Sequence, residues 1–416
     1  MSILLKNVTL NDQITDILIQ ENIFKNISPD QSSYADTTID CRDKAILPAF
    51  YNNHSHVPMS IFRGIGDDKE LFDWLNNDIW PREAKLTPEM IYSATKFSIL
   101  EMIKTGTTFF SDMYFCMDAI TRAVADMKIR AALSFGACDL FDADKRKSEI
   151  AKINAFMELP NPAPELISKT IGIHAVYSAS PELIRYNVEL AQKNKLKIHI
   201  HACETAKEVA DCRQEHGCSP IVYLDKLGAL SENTILAHSV FLDDEDIKIL
   251  AEKGVWLCTN PTSNYKLSSG VFMLQKLLDS GCKITLGTDG AASNNNLSMI
   301  EEMSICALSA KIQDNSPTAG TASDVFNIAT HNGAKAFDIN AGEIVEGKLA
   351  DCILVDLNNH LLVPNYNLIS NMVYSADSSC IDTLICNGNI LMQNHHVDGE
   401  EELTANMKEL SNFFKD

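Results

Sequence analysis

The chain has 416 residues, of which 45% are hydrophobic and 22% charged, a balance typical of a globular protein with a sizeable core. Its 56 acidic residues outnumber its 35 basic ones and leave a formal charge of -21, which disfavours nucleic acid and anionic membranes as partners. No apolar run approaches the roughly 20 residues of a membrane span, and the apolar stretch near Met1 is too short for a secretory signal, so we expect a cytoplasmic protein.

The first 44 residues predict a β-rich segment. Short runs of alternating polarity, such as ITDILI from Ile14, are typical of strands, and no barrel helix fits among them. Residues 342–393 have the same character, for example in DCILVDL from Asp351. We therefore expect both ends of the chain to form one small β-sandwich domain, into which the rest of the chain is inserted.

Between residues 45 and 290, eight apolar, β-rich runs alternate with helical segments. In chain order they are AILPAF from Ala45, TTFFSDM from Thr107, RAALSFGA from Arg130, TIGIHAV from Thr170, KLKIHIHA from Lys195, NTILAHS from Asn233, GVWLCTN from Gly254 and KITLGTD from Lys283. Apolar strands separated by helices predict an α/β fold, and eight repeats favour a closed (β/α)8 TIM-type barrel over an open doubly wound sheet. The barrel is predicted to span residues 50–341, with the small domain in residues 1–49 and 342–416.

The C-terminal tail, residues 400–416, predicts an amphipathic helix. The residues that recur at helical spacing are Leu403, Met407, Leu410 and Phe414. We expect this apolar face to pack on the body of the protein.

The twelve cysteines are scattered along the chain, and several lie inside apolar runs such as the one around Cys258. Disulfide frameworks are typical of small secreted domains. No C-x-x-C pair is present that would indicate a cysteine zinc site or a thioredoxin-like redox centre. We therefore expect buried, reduced thiols.

His54 and His56 form the first candidate metal motif. Residues i and i+2 of an extended segment project to the same side, so two imidazoles just after the first predicted barrel strand can share one metal ion. Such a pair also arises by chance, and His199 with His201 is a second one. His199 is expected to line the barrel interior below the metal, and we assign it no role.

The positions of three further residues strengthen this interpretation. His201, His238 and Asp289 end the fifth, sixth and eighth predicted strands, and barrel active sites lie at the C-terminal ends of strands. Imidazoles with one carboxylate can hold a divalent zinc or iron ion and leave a position for water. Taken singly, His238 could be a packed histidine and Asp289 with Gly290 an ordinary turn. The combination predicts a metal site.

Glu204 lies three residues after His201, in the loop above the fifth strand. A carboxylate there could exchange protons with a bound heterocycle. The alternative interpretation is a first-turn acid that stabilises the following helix. The residues themselves leave both interpretations open.

Several motifs resemble the metal-dependent amidohydrolase superfamily. They are ILPAFYNNHSH from Ile46, HACET from His201, LAHS from Leu236 and LGTDGAASNNN from Leu286. Two longer segments, MSIFRGIGDDKELFDWLNNDIWPREAKLTPE from Met59 and GEIVEGKLADCILVD from Gly342, are similar to the 5-methylthioadenosine/S-adenosylhomocysteine deaminases. The resemblance spans nearly the whole chain, and the fold of this family agrees with a barrel and a split β domain.

The resemblance implies a metal centre and two further catalytic groups. Glu204 would protonate a ring nitrogen, and His238 would polarise the hydrolytic water. Asp289 would accept a proton from that water and return it to the departing ammonia. No lysine that could bridge two metal ions ends the fourth strand, so one ion is expected. The implied ligands of this ion, usually zinc, with Fe2+ also possible, are His54, His56, His201 and Asp289.

The same resemblance implies a wall that binds a nucleoside. Glu83, in the WPREAKL motif, is expected to bind ribose hydroxyls, with Trp74 nearby and His174 beside the substrate. Ser293, which follows the metal-binding aspartate, is expected to help position the purine.

The segment SFGACDLFDADKRK after the third strand departs from the family pattern. In adenosylhomocysteine-accepting members, basic residues there can meet the amino-acid carboxylate, whereas this chain offers Lys145, Arg146 and Lys147. We take Arg146 as the candidate. A 5'-substituted adenosine without a carboxylate is expected to suit the site as well or better.

Together these features predict a hydrolytic deaminase that converts methylthioadenosine, adenosylhomocysteine, 5'-deoxyadenosine or adenosine to the inosine derivative and ammonia. One alternative keeps the metal site but acts on a triazine, guanine or cytosine, and the motif around Glu83 argues against it. The other is a non-catalytic scaffold, which the presence of all four ligands and Glu204 disfavours. The sequence leaves a homo-oligomer open.

Overall fold

The computed structural model describes residues 2–29 and 34–414, and the strands of these residues form two sheets. In chain order the strands are β1 (Ser2–Leu10), β2 (Gln13–Gln20), β3 (Ile23–Ser28), β4 (Thr37–Asp40), β5 (Lys44–Pro48), β6 (Phe50–Ser55), β7 (Thr107–Tyr114), β8 (Arg130–Ala137), β9 (Ile167–Lys169), β10 (Ile171–Ala175), β11 (Ile198–Ala202), β12 (Thr234–His238), β13 (Trp256–Thr259), β14 (Lys283–Leu286), β15 (Cys352–Asp356), β16 (Ile381–Cys386) and β17 (Asn389–Met392).

Helices follow most of the barrel strands. They are α1 (Leu71–Trp74), α2 (Trp80–Glu83), α3 (Pro88–Lys104), α4 (Met117–Met127), α5 (Ala143–Glu158), α6 (Pro181–Asn194), α7 (Ala206–His216), α8 (Pro220–Lys226), α9 (Asp244–Lys253), α10 (Pro261–Lys266), α11 (Leu274–Asp279), α12 (Met299–Gln313), α13 (Ala322–Ala329), α14 (His331–Ala336), α15 (Leu368–Tyr374) and α16 (Glu400–Ser411), with a π-helical turn at Leu75–Ile79 and 3-10 helices at Val57–Phe62, His360–Leu362, Ser378–Cys380 and Asn412–Phe414. Thr87 and Ser180 cap α3 and α6, because each hydroxyl accepts a backbone N–H of the first turn. Among the described residues no helix has the length and apolarity needed to cross a membrane.

Eight parallel strands form the barrel. They are β6, β7, β8, β10, β11, β12, β13 and β14, each paired with the next, and β9 attaches beside β8. Where the first and last strands meet, Asp289 donates its backbone N–H to the carbonyl of His54 at 3.0 Å. Every residue of β6, β7, β11 and β12 is buried, as expected for strands covered on both faces. The predicted (β/α)8 barrel is confirmed.

The first barrel strand differs from the sequence prediction. The run from Ala45 forms β5, which pairs antiparallel with β15 outside the barrel. The barrel begins with β6 at Phe50, which pairs with β7. An apolar run indicates that a strand is buried but does not indicate which sheet the strand joins. The sequence prediction therefore merged the two consecutive strands β5 and β6 into one. His54 consequently lies within the first barrel strand, not after it.

Both ends of the chain build the second sheet, as predicted. Its hydrogen-bonded order is β17, β16, β15, β5, β1, β2 and β3, and β4 pairs with β1. One face has its own apolar core, which includes Ile3, Val8, Phe24 and Leu354. The division of the chain at residues 49 and 342 stays a prediction.

A buried charged cluster joins this sheet to the barrel. Asp351 accepts hydrogen bonds from Nε and Nη2 of Arg130 at 3.1 and 3.2 Å. The same carboxylate accepts the Tyr51 hydroxyl at 2.9 Å and the Asn387 backbone N–H at 2.6 Å. Arg130 begins β8 and Tyr51 lies near the start of β6, so the cluster lies at the N-terminal end of the barrel strands.

The C-terminal tail packs on the body of the protein, as the spacing of its apolar residues predicts. Met407 is buried, and the ring of Phe414 meets that of Phe62 edge-on with centroids 5.2 Å apart. Lys104 of α3 forms an ion pair with Glu400 at 2.9 Å. The prediction for the cysteines is also confirmed, since all twelve are free and nine of them are buried.

Candidate active site

A cavity of about 420 Å³ opens at the C-terminal ends of the barrel strands. Most of the residues singled out from the sequence line it, namely His56, Trp74, Glu83, His174, His201, Glu204, His238 and Asp289. His54 is fully buried and contacts Asp289. The lining does not include Arg146 or Ser293.

Four side chains converge at the floor of this cavity. The Nε2 atoms of His54 and His56 lie 3.3 and 3.4 Å from Oδ1 of Asp289. The Nε2 atoms of His56 and His201 are 3.2 Å apart. The structure thus brings together the four residues that the sequence analysis named as metal ligands, although they come from β6, its C-terminal end, β11 and the loop after β14.

The hydrogen bonds of these rings make the cluster suitable for a cation. Nδ1 of His56 lies 2.6 Å from the carbonyl oxygen of Met113, and Nδ1 of His201 lies 2.6 Å from that of His174. A carbonyl only accepts, so each ring carries a proton on Nδ1 and, when neutral, a lone pair on Nε2. Nε2 of His54 is buried and makes no hydrogen bond. The lone pairs of His56 and His201 therefore face one another without a proton between them, and a divalent metal ion fits such a donor set.

The electrostatics of the cluster also fit a metal ion. Burial lowers the pKa of His54 to about 4 and that of His201 well below its ordinary value, so both rings are neutral at pH 7. For Asp289, burial acts to raise the pKa, but the neighbouring His54, His56 and His238 outweigh it and hold the pKa well below the ordinary value. Neutral imidazoles and an ionised carboxylate are the ligand forms that a metal requires.

Hydrogen-bond donors hold the Asp289 carboxylate in place. The sequence analysis missed one of them, Ser263, and predicted another, Ser293, as a purine-binding residue. Ser263 and Ser293 donate their hydroxyls to Oδ2 of Asp289 at 2.6 and 3.0 Å, and Gly290 donates its N–H to Oδ1 at 2.8 Å. Ser293 therefore contacts the aspartate and not the cavity where a purine could lie. Ser263 belongs to the polar stretch TNPTSN at the end of β13, and the rule that placed the other site residues at strand ends could have found it.

Glu204 and His238 face each other across the cavity floor. Nε2 of His238 lies 3.8 Å from Oε2 of Glu204, and Nδ1 of His238 lies 2.8 Å from the Asn264 side-chain oxygen. Burial, together with repulsion from Asp289, raises the pKa of Glu204. Burial acts to lower the pKa of His238, but the carboxylates of Glu204 and Asp289 outweigh it and raise the pKa. The pair therefore holds protons more tightly than the same groups in water.

The helix after Glu204 argues against a capping role for that residue. Thr205 caps α7, and the first-turn acid is Glu208. The Glu208 carboxylate accepts the backbone N–H groups of Cys203 and Glu204 at 3.0 and 2.8 Å. Glu204 is therefore free of helix capping, and its side chain faces the cavity instead.

Apolar and aromatic side chains form the wall of the cavity. Trp74 is buried in this wall, and Glu83 at the end of α2 lines it beside Tyr114. Burial raises the pKa of Glu83, although the Tyr114 hydroxyl partly opposes the effect. His174 lines the cavity with its Nδ1 atom 2.7 Å from the Ser178 hydroxyl.

The structure does not bring Arg146 into the cavity. Its Nε atom donates to Asp139 at 2.8 Å and to the Ser180 hydroxyl at 2.9 Å. Lys145 lines the cavity instead. The three basic residues lie consecutively near the start of α5, where successive side chains point in different directions, so the sequence alone did not show which of them faces the cavity.

The backbone is strained where the site residues follow their strands. Cys203, His238 and Asp289 adopt left-handed conformations with φ of 54°, 70° and 62°. Such conformations cost roughly 1–3 kcal/mol each for residues other than glycine and cluster at functional sites. The strain is consistent with strand ends that are shaped to aim these side chains into the cavity.

Comparisons with known proteins agree with this geometry. The 5'-deoxyadenosine deaminase of Methanosphaera stadtmanae is 44% identical over 397 residues, which cover 94% of this chain and 93% of that protein. The 5-methylthioadenosine/S-adenosylhomocysteine deaminase of Thermococcus sibiricus is 45% identical over 402 residues, 94% of each chain. The crystal structure of an adenosine deaminase from Xanthomonas campestris with bound zinc superposes with a TM-score of 0.91 at 28% identity, covering 100% of this chain and 98% of that one.

The sequence profile described as "Amidohydrolase family" matches residues 45–391. This span includes the whole barrel, β15 and β16 of the second sheet, and all but one residue each of β5 and β17. The chain belongs to the amidohydrolase family.

Proposed function

We propose that this protein is a zinc-dependent hydrolytic deaminase of 5'-substituted adenosines. The observation that carries the proposal is a single cavity in which the histidine–aspartate cluster, Glu204 and His238 form the floor while Glu83 and Trp74 belong to the wall. The names of the relatives, which act on 5'-deoxyadenosine, methylthioadenosine or adenosylhomocysteine, support the same substrate class.

His54, His56, His201 and Asp289 would hold the metal ion. When bound, a zinc ion supplies Lewis acidity, which makes a water molecule in the site a stronger acid and its conjugate base available at neutral pH. Zinc suits this mixture of imidazole and carboxylate ligands, and the related Xanthomonas campestris structure contains it. Fe2+ has a similar preference and is a second candidate.

The chain's own groups manage the protons of the reaction. Asp289 is ionised and accepts a proton from the water that adds to C6 of the adenine ring, while Glu204 gives its proton to N1. His238 donates to the oxygen that becomes bonded to C6. Asp289 then returns its proton to the amino group, the C6–N bond breaks, and ammonia leaves. Loss of the hydroxyl proton to Glu204 yields the inosine product and restores the acid.

Glu83 is the group that selects a nucleoside over a free base. Its side chain is half-buried in the cavity wall beside Tyr114, so its carboxylate gains from hydrogen-bond donors on whatever occupies the cavity. The two adjacent hydroxyls of a ribose supply them. The indole of Trp74 and the other apolar side chains of the wall cover the remaining faces of the ligand.

The lining of the same cavity also affects which 5'-groups can be bound. Lys145 is the one lysine or arginine among the described residues that line it. A 5'-substituent that ends in a carboxylate therefore has a single candidate partner, while a methylthio or 5'-deoxy group needs none. Both kinds of substrate fit the proposal, and the methylthio and 5'-deoxy nucleosides do not depend on Lys145. The compartment and the oligomeric state predicted from the sequence stay predictions.

The test is ammonia release by zinc-loaded protein with adenosine, 5'-deoxyadenosine, methylthioadenosine, adenosylhomocysteine, guanine, cytosine and a chlorotriazine. We expect turnover of the adenosine derivatives. Activity on a free base only, or chloride release from the triazine only, would overturn the nucleoside assignment. No activity on any compound would favour a non-catalytic protein.

A variant pair sharpens this test. Glu83→Ala should raise KM for each nucleoside roughly 10- to 100-fold, because the ribose loses a charge-assisted partner. Glu89→Ala removes an exposed acid six residues further on and serves as the matched control. Equal losses in the two variants would argue against a ribose-binding role.

A further inference from the structure

His199, which the sequence analysis left without a role, lies directly behind His54. Its Nε2 atom is 3.0 Å from Nδ1 of His54, on the opposite side of that ring from Asp289. Its own Nδ1 atom is 3.1 Å from the Ser111 hydroxyl. All three side chains are fully buried inside the barrel. They form a continuous hydrogen-bonded row that ends at the metal cluster.

A single proton occupies the contact between the two rings, and its position decides what His54 can do. If the proton is on Nδ1 of His54, the lone pair on Nε2 points to the cluster and can bind a cation. If the proton is on Nε2 of His199, a neutral His54 carries its own proton on Nε2 and cannot be a ligand. The first arrangement requires His199 to carry its proton on Nδ1, where Ser111 offers an oxygen to accept it.

The other two histidines of the cluster do not have this ambiguity. His56 and His201 both face backbone carbonyls, which accept hydrogen bonds and cannot donate. The tautomer of each is therefore imposed by the main chain. His54 is the ligand whose tautomer depends on side chains, and those side chains are His199 and Ser111.

We propose that Ser111 and His199 are positioning residues that hold His54 in the tautomer with a free Nε2, and that they thereby set the metal affinity of the cluster. This inference rests on the metal centre of the proposed function. Groups that orient a metal-bound histidine typically change metal affinity 10- to 100-fold when they are removed.

The test measures zinc affinity directly, without substrate. Metal-free protein is titrated with zinc in competition with a chromogenic chelator for the parent, His199→Phe, His199→Gln, Ser111→Ala and Ser134→Ala. The glutamine retains a carbonyl oxygen that can accept the Nδ1–H of His54, and the phenylalanine retains only bulk. Ser134→Ala is the matched control for Ser111→Ala, since Ser134 is equally buried on β8 but donates to the Asp112 carbonyl.

We expect His199→Phe to weaken zinc binding 10- to 100-fold, Ser111→Ala by about 10-fold, and His199→Gln by no more than about 3-fold. Ser134→Ala should bind as the parent does. Parent-like affinity in Ser111→Ala, or equal losses in His199→Phe and His199→Gln, would overturn the proposal. If His199→Phe fails to fold, the comparison of Ser111→Ala with Ser134→Ala decides alone.

The outcome is separable from that of the proposed function. Reduced zinc affinity in a protein that deaminates nothing would support the positioning role and refute the enzymatic proposal. Unchanged affinity in the variants of an active deaminase would refute the positioning role alone.

Discussion

Two buried charged clusters lie at opposite ends of the barrel strands, and they are built in opposite ways. At the N-terminal end, Asp351 receives hydrogen bonds from Arg130, Tyr51 and a backbone N–H. At the C-terminal end, Nε2 of His54 has no hydrogen bond, and the carboxylate of Asp289 acts to raise the pKa of Glu204. The first cluster is hydrogen-bonded within the protein, whereas the second leaves a buried ring nitrogen without a hydrogen bond, as the proposed metal centre requires.

The comparison indicates that the cluster around Asp351 serves stability and that the cluster at the C-terminal ends of the strands serves function. A buried ion pair whose members are fully hydrogen-bonded holds two parts of a chain in a fixed arrangement. Removing one partner lowers the free energy of unfolding, because the other charge stays buried without a partner. Unpaired groups at strand ends, with strained backbone at His238 and Asp289, cost stability and are retained where the chemistry needs them. Variants in the two clusters should therefore have opposite effects.

The largest effect is expected at the catalytic end. Glu204→Gln keeps the size of the side chain but removes the proton donor, so kcat for 5'-deoxyadenosine should fall about 10²- to 10⁴-fold. The melting temperature should stay the same or rise, because a buried acid next to Asp289 is lost. Steady-state ammonia release and thermal unfolding of the same preparation measure both. Retained activity with a lower melting temperature would contradict the prediction, because it would show that Glu204 contributes to stability and not to catalysis.

The opposite result is expected at the N-terminal end. Asp351→Ala leaves the buried Arg130 guanidinium without its carboxylate, and the free energy of unfolding should fall by roughly 3–5 kcal/mol. The kcat of the remaining folded protein should not change, since the cluster is at the far end of the strands. Urea unfolding measures the loss. Asp40→Ala, which breaks the exposed pair with Arg42, is the control and should be nearly neutral.

A smaller, pH-dependent effect is expected at Asp112. Burial raises its pKa from 3.8 to about 7, with partial opposition from the Val57 N–H and from His56. Between pH 3.8 and about pH 7, Asp112 keeps its proton in the folded protein but has lost it in the unfolded chain. The free energy of unfolding therefore falls as the pH rises through this range. Asp112→Asn cannot ionise and keeps an oxygen for the Val57 N–H, which lies 2.8 Å away.

Asp112→Asn should therefore be more stable than the parent above pH 7, by on the order of 1–3 kcal/mol, and should match it below pH 4. Urea unfolding of both metal-free proteins at pH 4 and pH 8 checks this. Equal stability at pH 8 would show that Asp112 is ionised in the folded protein at no cost.

The smallest effect is expected at Lys145 and depends on the substrate. Lys145→Ala should raise KM for adenosylhomocysteine about 10-fold, because the carboxylate of this substrate loses a half-buried charge partner. KM for 5'-deoxyadenosine should not change. Lys147→Ala is the control, since Lys147 lies two residues further along α5 and is exposed beside Asp144. An equal rise in KM for both substrates would mean that Lys145 shapes the cavity and does not select the 5'-group.

Much of the barrel could be predicted because most of its strands are marked by a short apolar run in the sequence. Seven of the eight barrel strands coincide with apolar runs found in the sequence to within a few residues, since continuous apolar stretches between helices are typical of buried parallel strands. The exception, the run from Ala45, shows the limit of this signal. Periodicity identifies a buried strand, but the partner that buries it lies elsewhere in the chain.

The amino-acid sequence by itself determined the barrel and the split second sheet, because hydrophobic pattern is a property of short segments. Position at strand ends and the family resemblance predicted the proposed ligands His54, His56, His201 and Asp289. Only the tertiary structure decided that Lys145 and not Arg146 lines the cavity, that Ser263 donates to Asp289, and that Nε2 of His199 meets Nδ1 of His54. The physical reason is that these contacts depend on the direction of side chains from distant strands and helices, and directions are set only when the sheet closes.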